Sequence, residues 1–182
     1  MKGKPVDLRR VGARVSLRPV TPEDEETLLK IYASTREDEM RQATGWTEEQ
    51  KEMFLRWQLQ MQRQDYERRF PEADYRLILF DNEPAGRLWV GRTPEQIRLL
   101  DIAILPEFQN RKIGTYLLGK LIEESEATGI PLRHMIYKLN TEARRFYERL
   151  GFHLAEDERM YLLMERQPGN AEGRRQNDEL KS

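Results

Sequence analysis

A short polar and cationic stretch, residues 109–112 (Gln-Asn-Arg-Lys), lies between an apolar run that ends at Leu105 and leucines at helical spacing from Ile113 onward. This pattern predicts a strand that leads through a loop into the first turn of a helix. Unpaired N–H groups and the positive end of the helix dipole coincide at such a point. The stretch therefore predicts a binding site for an anion.

The composition argues against several classes of protein function. The 182 residues suffice for one domain with its own core. Lys and Arg number 31 and Asp and Glu 32, and this balance argues against a nucleic-acid partner. The chain has no cysteine, which excludes disulfides and thiolate metal sites. No apolar run approaches the roughly 18 residues that span a bilayer, and the first residues lack a signal-peptide core, so we expect no membrane partner and a cytoplasmic location.

The hydrophobic pattern predicts one structured domain with two flanking segments. Residues 1–14 are basic with little apolar surface and are predicted to be a loose leader. Residues 15–166 contain the periodic segments and are predicted to form the domain. Residues 167–182 have almost nothing to bury and are predicted to be a disordered polar tail.

The periodic segments predict an α+β fold. The predicted elements are a strand (15–20), helices (22–36 and 47–70), three strands (75–80, 86–90 and 96–105), a helix (113–127), a strand (134–139), a helix (141–150) and a last hairpin (152–155 and 160–164). The order β-α-α-β-β-β-α-β-α-β-β predicts a mixed, mostly antiparallel central sheet with about four helices packed on both faces. The strand over 99–105, its helix and the strand over 134–139 form the one parallel crossover, which should be right-handed.

Two segments together resemble the GNAT superfamily of N-acetyltransferases. Residues 105–115 (LPEFQNRKIGT) are similar to its acyl-CoA loop, Gln/Arg-x-x-Gly-x-Gly/Ala, and residues 140–152 (NTEARRFYERLGF) are similar to its Asn-x-x-Ala-x-x-Phe-Tyr-x-x-x-Gly-Phe signature. The resemblance extends from about Val15 to Glu165. It implies an acetyltransferase domain over 15–166 that uses acetyl-CoA as co-substrate and takes an amine acceptor.

One position departs from the loop pattern. Gln109 and Gly114 match, but Lys112 stands where the family has its first glycine. That glycine normally lets the backbone approach the pyrophosphate, so the lysine side chain could crowd the ligand. It could instead point outward or add a positive charge near the phosphates, and we expect a helix start to tolerate lysine conformationally.

The resemblance implies a cofactor site at the strand end and the loop, formed by Ile104, Leu105, Gln109, Asn110, Arg111, Lys112, Ile113, Gly114 and Thr115. It also implies that the strand ending at Leu105 carries a bulge and separates from the strand ending at Leu139, which would open a slot for the pantetheine arm. A free N–H near Ile104 would then polarise the acetyl carbonyl. Asn140 matches the leading asparagine of the second motif, and it would hydrogen-bond the pantetheine arm, cap the helix that begins at Thr141, or both.

Two residues are candidates for proton transfer. Tyr147 matches the family tyrosine that acts as general acid toward the CoA sulfur, and the alternative is that its ring only packs. Asp101 is an acid in a mostly apolar strand and is the candidate general base, although it could be an edge-facing or capping carboxylate, and water could relay the proton instead. His134 and His153 are isolated and lack metal-ligand spacing, so we expect them to be structural and expect no metal site.

The resemblance places acceptor specificity in the first two helices and the segment over 37–46. Acids there could hold a cationic amine, and Trp46 or Trp57 could offer it an aromatic face. The alternative is a solvated charge run beside core aromatics.

The leading interpretation is an enzyme that moves an acetyl group from acetyl-CoA to a primary amine of a small molecule or peptide, by direct attack through a tetrahedral intermediate. The alternative is a non-catalytic acyl-CoA-binding regulatory module with the same fold. The predicted helix over 47–70 carries two adjacent apolar stripes, and a homodimer formed through this wide face is compatible with either function.

Overall fold

The computed structural model describes residues 8–169 and contains every predicted strand and helix in the predicted order, with two additional short helices. In chain order they are α1 (Leu8–Gly12), β1 (Val15–Pro19), a 3-10 turn (Pro22–Asp24), α2 (Glu25–Ser34), α3 (Glu37–Gln42), α4 (Glu48–Arg69), β2 (Asp74–Phe80), β3 (Glu83–Arg92), β4 (Ile97–Ile104), a second 3-10 turn (Pro106–Phe108), α5 (Ile113–Thr128), β5 (Leu132–Tyr137), α6 (Thr141–Arg149), β6 (His153–Glu158) and β7 (Tyr161–Arg166).

The strands form one sheet in the order β1-β2-β3-β4-β5-β7-β6. The β1–β2, β5–β7 and β6–β7 pairs are antiparallel, and β4 and β5 are parallel. The predicted α+β class and mostly antiparallel sheet are confirmed, as is the parallel pair. The chain divides into two compact units. The first takes in residues up to Trp89 together with Asp101–Leu117, and the second takes in Val90–Leu100 and the residues from Leu118 onward.

The core of the first unit lies where α2 and α4 pack on strands β2 and β4. Buried side chains from these elements form one cluster, with members Leu28, Leu29, Ile31, Tyr32, Leu55, Leu59, Leu77, Ala103 and Leu105. Helix α4 begins with the predicted capping box: Thr47 Oγ1 accepts from the Gln50 N–H at 3.2 Å, and Gln50 Oε1 accepts from the Thr47 N–H at 2.9 Å. The local start signal and the buried stripe therefore fix where α4 begins and which face it buries.

The start of α2 is held by an ion pair. The Asp24 side chain is 6% exposed and accepts hydrogen bonds from Arg18 at 2.6 and 2.7 Å and from the Thr21 N–H at 2.9 Å. The Arg18 guanidinium and these backbone and hydroxyl donors hold the pKa of Asp24 well below its usual range. The carboxylate therefore joins strand β1 to the turn before α2.

In the second unit, the ladder between β4 and β5 pairs Ile97–Leu99 with Leu132–His134. At its last pair, His134 Nδ1 donates to the Leu99 carbonyl oxygen at 2.8 Å. This contact gives His134 the structural role that was expected for it.

Several segments differ from the sequence-based expectations; strand β3, for example, covers Glu83–Arg92 where 86–90 was predicted. Part of the segment predicted as a loose leader forms α1, because Val11 is buried and Gly12 lies against the Tyr116 ring, where an added Cβ would come within 2.7 Å. Helix α3 was not predicted, since its six residues bury no side chain. Strand β5 ends two residues earlier than expected, at Tyr137.

The predicted leader and the predicted tail lie only partly within the described residues. Residues 1–7 of the leader and residues 170–182 of the tail lie outside them. Before that point, the Gly169 N–H donates to Glu126 Oε2 at 2.6 Å. Within residues 8–169, no helix combines the length and apolar character needed to cross a membrane.

Candidate active site

The loop between β4 and α5 has an unusual backbone. Asn110 and Lys112 both adopt left-handed conformations, with φ of 60° and 65°. The Tyr116 N–H donates to the Lys112 carbonyl at 2.9 Å and begins the helical hydrogen bonding. The N–H groups of residues 113–115 precede this bond and have no acceptor within the helix. The start of α5 therefore supplies three backbone donors, as the predicted anion site requires.

Two side chains of the loop brace it. Gln109 Nε2 donates to the Ile104 carbonyl at 3.0 Å, and Arg111 Nη2 donates to the Glu107 carbonyl at 2.9 Å. The Arg111 guanidinium also lies 5.3 Å from the centre of the Phe108 ring. Gln109 and Arg111, both predicted to bind the cofactor, therefore help to hold the conformation of the loop.

Lys112 explains why the family pattern has glycine at this position. A left-handed φ costs a residue with a Cβ roughly 1–2 kcal/mol, and glycine avoids this cost. The expectation that a helix start tolerates lysine conformationally is wrong here, because Lys112 occupies the left-handed region. Its side chain is exposed.

Gly114 is not required by the protein's own structure. An added Cβ would meet only Ile104 Cδ1, at an ordinary 3.5 Å, and its φ is not left-handed. Neither packing nor backbone conformation therefore calls for glycine at this position. A residue without a side chain beside helix-start N–H groups would let an anion approach the backbone closely, so the role of Gly114 in binding a diphosphate stays a prediction.

At the end of β4, beside this loop, one backbone N–H group is already hydrogen-bonded within the protein. The Leu105 N–H donates to the Ala85 carbonyl at 2.9 Å, and the Leu105 side chain is 2% exposed. The Leu105 amide is therefore engaged within the protein. The bulge, the slot and the polarising N–H near Ile104 stay predictions.

Asp101 lies in a buried ion pair. Its Oδ2 is 2.6 Å from Nε of Arg87, a residue only 2% exposed. Arg87 also donates to Gln62 Oε1 at 2.9 Å, and its guanidinium lies 5.3 Å from the Tyr32 ring centre. Burial lowers the pKa of Arg87, but the Asp101 carboxylate raises it, and the net shift is upward. The ion pair alone accounts for an acid at position 101, so its role as base stays a prediction.

The pKa of the Tyr66 phenol is affected by Asp101 of this ion pair. Burial and the negative charge of Asp101 raise the pKa of Tyr66 to about 12. The shift makes the Tyr66 phenol harder to ionise than an ordinary tyrosine.

The second unit holds the other two predicted residues. Asn140 Oδ1 accepts from the Ala143 N–H at 2.9 Å and caps α6, so its Nδ2 is the atom that could donate to a pantetheine arm. The Tyr147 ring is 4% exposed and lies 4.8 Å from the His134 ring and 5.2 Å from the Phe152 ring, between centroids. This packing alone accounts for an aromatic residue at 147, so its catalytic role stays a prediction.

Neither histidine belongs to a metal site in the part of the chain that the structure describes. His153 Nε2 lies 3.7 Å from Glu165 Oε1. Among residues 8–169, no three His, Asp or Glu side chains are grouped so as to hold a metal ion.

A groove of about 800 Å³ opens in the first unit between α2, α3, α4 and the turn after β4. We call it the acidic groove. Its apolar lining comes from Leu29, Ala33, Met40, Leu55 and Leu105, and its charged lining comes from Glu26, Glu37, Glu48, Glu52, Glu107, Lys30, Arg41 and Lys51. Leu105 and Glu107 directly precede the loop that leads into α5, so the groove adjoins this loop within the same unit.

Two tryptophans that were weighed as core aromatics are exposed. Trp46 is 43% and Trp57 is 56% exposed, so that expectation is wrong. They form, with Met53 and Phe54, a shallow depression of about 550 Å³ that we call the aromatic shelf. The Trp46 and Phe54 ring centres are 5.1 Å apart in an edge-to-face arrangement. The second apolar stripe of α4 therefore faces outward.

Sequence reasoning missed Arg87 and most of the acidic groove. The signal for Arg87 was a lone cation in one apolar strand followed by a lone acid, Asp101, in the next. The signal for the groove was the spacing of Glu48, Glu52 and Leu55, which places them along one side of a helix.

Comparisons with known proteins agree with this geometry. A model of the acetyltransferase (GNAT) family matches residues 32–152. The chain is 33% identical over 75 residues to the [ribosomal protein bS18]-alanine N-acetyltransferase of Haemophilus influenzae, a stretch that is 41% of this chain and 51% of that protein. The chain thus spans about half the length of the curated relative it matches.

Solved structures share the fold at low sequence identity. The PaiA N-acetyltransferase from Thermoplasma acidophilum, in complex with coenzyme A, has a TM-score of 0.63 at 19% identity and is covered over 98% of its length, against 84% of this chain. The ribosomal-protein-S18-alanine N-acetyltransferase from Escherichia coli has a TM-score of 0.57 at 19% identity, with 93% and 84% covered. Since the family match takes in well over half of the sequence, the chain belongs to the GNAT family of acetyltransferases.

Proposed function

We propose that this chain is an acetyl-CoA-dependent N-acetyltransferase that acetylates a primary amine of a small molecule or peptide. Membership of the family supports the activity, and the coenzyme A bound to the Thermoplasma acidophilum relative supports the co-substrate. In the proposed reaction the amine attacks the thioester carbonyl directly, so that a C–N bond forms and the C–S bond breaks.

The chain's own residues have three proposed tasks. The N–H groups of residues 113–115 bind the diphosphate, with Gln109, Arg111 and the left-handed residues Asn110 and Lys112 shaping the loop. Ile104 and Asn140 bind near the acetyl group and the pantetheine arm. Tyr147 gives a proton to the departing thiolate, and Asp101 or a water removes one from the ammonium.

The three backbone N–H groups at the start of α5, beside a glycine that the fold itself does not require, are the observation that carries this proposal, and Gly114→Ala tests it. The added methyl fits the protein but occupies the space assigned to the diphosphate. We expect the affinity for coenzyme A, measured by isothermal titration calorimetry, to fall at least tenfold with no loss of melting temperature.

Gly119→Ala is the matched control, because Gly119 lies in the same helix with nothing within 4 Å of its added Cβ. This variant should bind coenzyme A as the parent does. Equal affinities of the parent, Gly114→Ala and Gly119→Ala for coenzyme A would show that the loop does not belong to the cofactor site.

Tyr147→Phe separates an enzyme from an acyl-CoA-binding module. If Tyr147 is the general acid, the variant should lose roughly 10²–10⁴ in kcat while its affinity for coenzyme A stays unchanged. Thiol release from acetyl-CoA, assayed over a panel of amines, measures turnover. A parent protein that binds coenzyme A and acetylates no amine would support the non-catalytic module, and full turnover of the variant would exclude the proposed acid.

The name of the Haemophilus influenzae relative suggests which acceptor to test first. That protein acts on an alanine of a ribosomal protein. A peptide with a free N-terminal alanine therefore belongs in the amine panel beside small amines.

A further inference from the structure

Three rings contact that of Tyr147 in the part of the chain that the structure describes. Phe146 lies 5.4 Å away and Phe152 lies 5.2 Å away, both edge-to-face, and His134 lies 4.8 Å away at an interplanar angle of 43°, all between ring centroids. Such contacts favour particular ring orientations. Because the Tyr147 side chain is only 4% exposed, these neighbours determine where its hydroxyl group points.

Two of these rings belong to the same short segment as Tyr147. Phe146 precedes it in α6, and Phe152 follows the end of the helix, where its N–H donates to the Tyr147 carbonyl at 3.1 Å. These two rings therefore move together with Tyr147. His134 instead belongs to β5, and all four residues lie in the second unit. The imidazole thus provides a direct contact between the Tyr147 ring and the sheet.

The His134 side chain is itself held in place. Its Nδ1 lies 2.8 Å from the Leu99 carbonyl oxygen, and since a carbonyl oxygen only accepts, Nδ1 carries a proton. The His134 backbone pairs with Leu99 of β4 on one side and with Met164 of β7 on the other. Leu99 and Met164 are 1% and 0% exposed. An imidazole that is held at its backbone and at Nδ1 has little freedom to tilt, so it offers Tyr147 a rigid surface.

The packing of β5 does not itself require a histidine at this position. Residues 132, 134 and 136 face the same side of the strand, because side chains alternate along it. Leu132 and Ile136, on either side of His134 in this row, are apolar and are 0% and 4% exposed. An apolar residue at 134 would complete the row without a polar ring that needs a hydrogen-bonding partner. The imidazole is therefore a feature that the stability of the strand leaves unexplained.

We propose that His134 is a positioning residue for the general acid: its fixed imidazole holds the Tyr147 ring so that the hydroxyl group meets the departing thiolate. This inference rests on the proposed function. In that step the thioester C–S bond breaks, the sulfur takes the Tyr147 hydroxyl proton, and the phenolate recovers the proton that the attacking amine loses. A misdirected proton donor slows this step and leaves the binding of both substrates unchanged.

A double-mutant cycle of His134→Leu and Tyr147→Phe tests the inference, with thiol release from acetyl-CoA measured for the fastest amine of the panel. Leucine fills a similar volume without a ring or a donor. In the parent we expect His134→Leu to lower kcat at least tenfold, with KM for the amine and the affinity for coenzyme A within twofold. In Tyr147→Phe, which has no hydroxyl to direct, the same change should lower kcat less than twofold. Single-turnover measurements with excess enzyme follow the slow variants.

Two further variants separate positioning from folding. His134→Asn keeps a side-chain N–H for the Leu99 carbonyl but has no ring, so it should melt closer to the parent than His134→Leu does and still lose at least fivefold in kcat. His153→Leu, at the second histidine, whose side chain is 51% exposed on β6, should leave kcat within twofold. Differential scanning calorimetry compares the melting temperatures. If His134→Leu does not fold, His134→Asn takes its place in the cycle.

The outcomes separate this inference from the proposed function. An equal fall in kcat with and without the Tyr147 hydroxyl would show that His134 acts only through folding, and would overturn the inference while the proposed function stands. Full kcat in His134→Asn would also overturn it, because the ring contact would then not matter. No thiol release by the parent with any amine, together with no binding of coenzyme A by calorimetry, would overturn the proposed function and the inference with it.

Discussion

At the scale of single residues, the loop between β4 and α5 combines a backbone held by side-chain hydrogen bonds with a conformationally unfavourable residue. Asn110 tolerates a left-handed conformation because its short polar side chain can interact locally, but Lys112 gains nothing comparable. A binding loop that is held by Gln109 and Arg111 can carry such strain.

Lys112→Gly should therefore stabilise the protein. Removing the left-handed cost outweighs the extra chain entropy of glycine, and we expect the free energy of unfolding to rise by roughly 0.5–1 kcal/mol. Urea denaturation measures it. Lys120→Gly, in the middle of α5, is the control and should lower stability by about 1 kcal/mol. A destabilised Lys112→Gly would show that the side chain makes a compensating contact.

The buried pair of Arg87 and Asp101 sets a second prediction at this scale. Asp101→Asn removes the counter-ion of a guanidinium that is 2% exposed, and leaving such a charge unpaired costs about 3–5 kcal/mol. We expect that loss of unfolding free energy by urea denaturation, with part of it restored when Arg87→Met is added.

The double variant Asp101→Asn with Arg87→Met also tests whether Asp101 is the general base. If Asp101 acts only on Arg87, the double variant should recover activity as it recovers stability. If Asp101 removes the proton, kcat should stay low even in the double variant, although stability recovers.

At the scale of elements, β3 and β4 lie too close for a side chain at one position. A Cβ on Gly86 would lie 2.2 Å from the Ala103 carbonyl oxygen, which is backbone and cannot rotate away. This close approach places the buried Arg87 beside β4, opposite Asp101.

Gly86→Ala should consequently lower the melting temperature sharply. Overpacking of this kind costs about 1–3 kcal/mol or more, because one strand must move. Gly45→Ala is the matched control, since its added Cβ meets nothing within 4 Å, and it should melt within a degree or two of the parent. Differential scanning calorimetry compares them, and equal losses in both variants would contradict the steric argument.

The elements also show where sequence patterns suffice. Helix α4 begins at its predicted cap because Thr47 and Gln50 are local partners. The hairpin of β2 and β3 was predicted, but with strand β3 over 86–90; the structure has a two-residue turn, Asp81 and Asn82 with φ of 53° and 67°, and β3 begins at Glu83. Helix α1 was not predicted because it packs against a residue distant in the sequence, the Tyr116 ring.

At the scale of the whole molecule, stability should decline in acid through Asp24. The pKa of Asp24 is lowered in the folded protein by Arg18 and by its backbone partners. Its contribution is therefore fully present above the ordinary carboxyl pKa of about 3.9 and is lost as the pH falls below that value.

Asp24→Asn isolates this effect. At pH 7 the variant should be less stable than the parent by roughly 2 kcal/mol, and the difference should shrink below pH 4. Urea midpoints at several pH values measure it. Asp38→Asn removes an exposed surface pair and should change stability by less than about 0.5 kcal/mol at any of these pH values. A difference that stays constant into acid would rule out the charge of Asp24 as the cause.

The sequence by itself determined the family, the capped start of α4 and the order of the strands and of the longer helices, because caps, periodicity and short motifs depend on neighbours along the chain. Only the tertiary structure decided that Lys112 is left-handed, that Asp101 is paired with Arg87, and that the Trp57 side chain is exposed on α4. These properties depend on which residues face each other after the strands pair and the helices pack, and no local pattern encodes that.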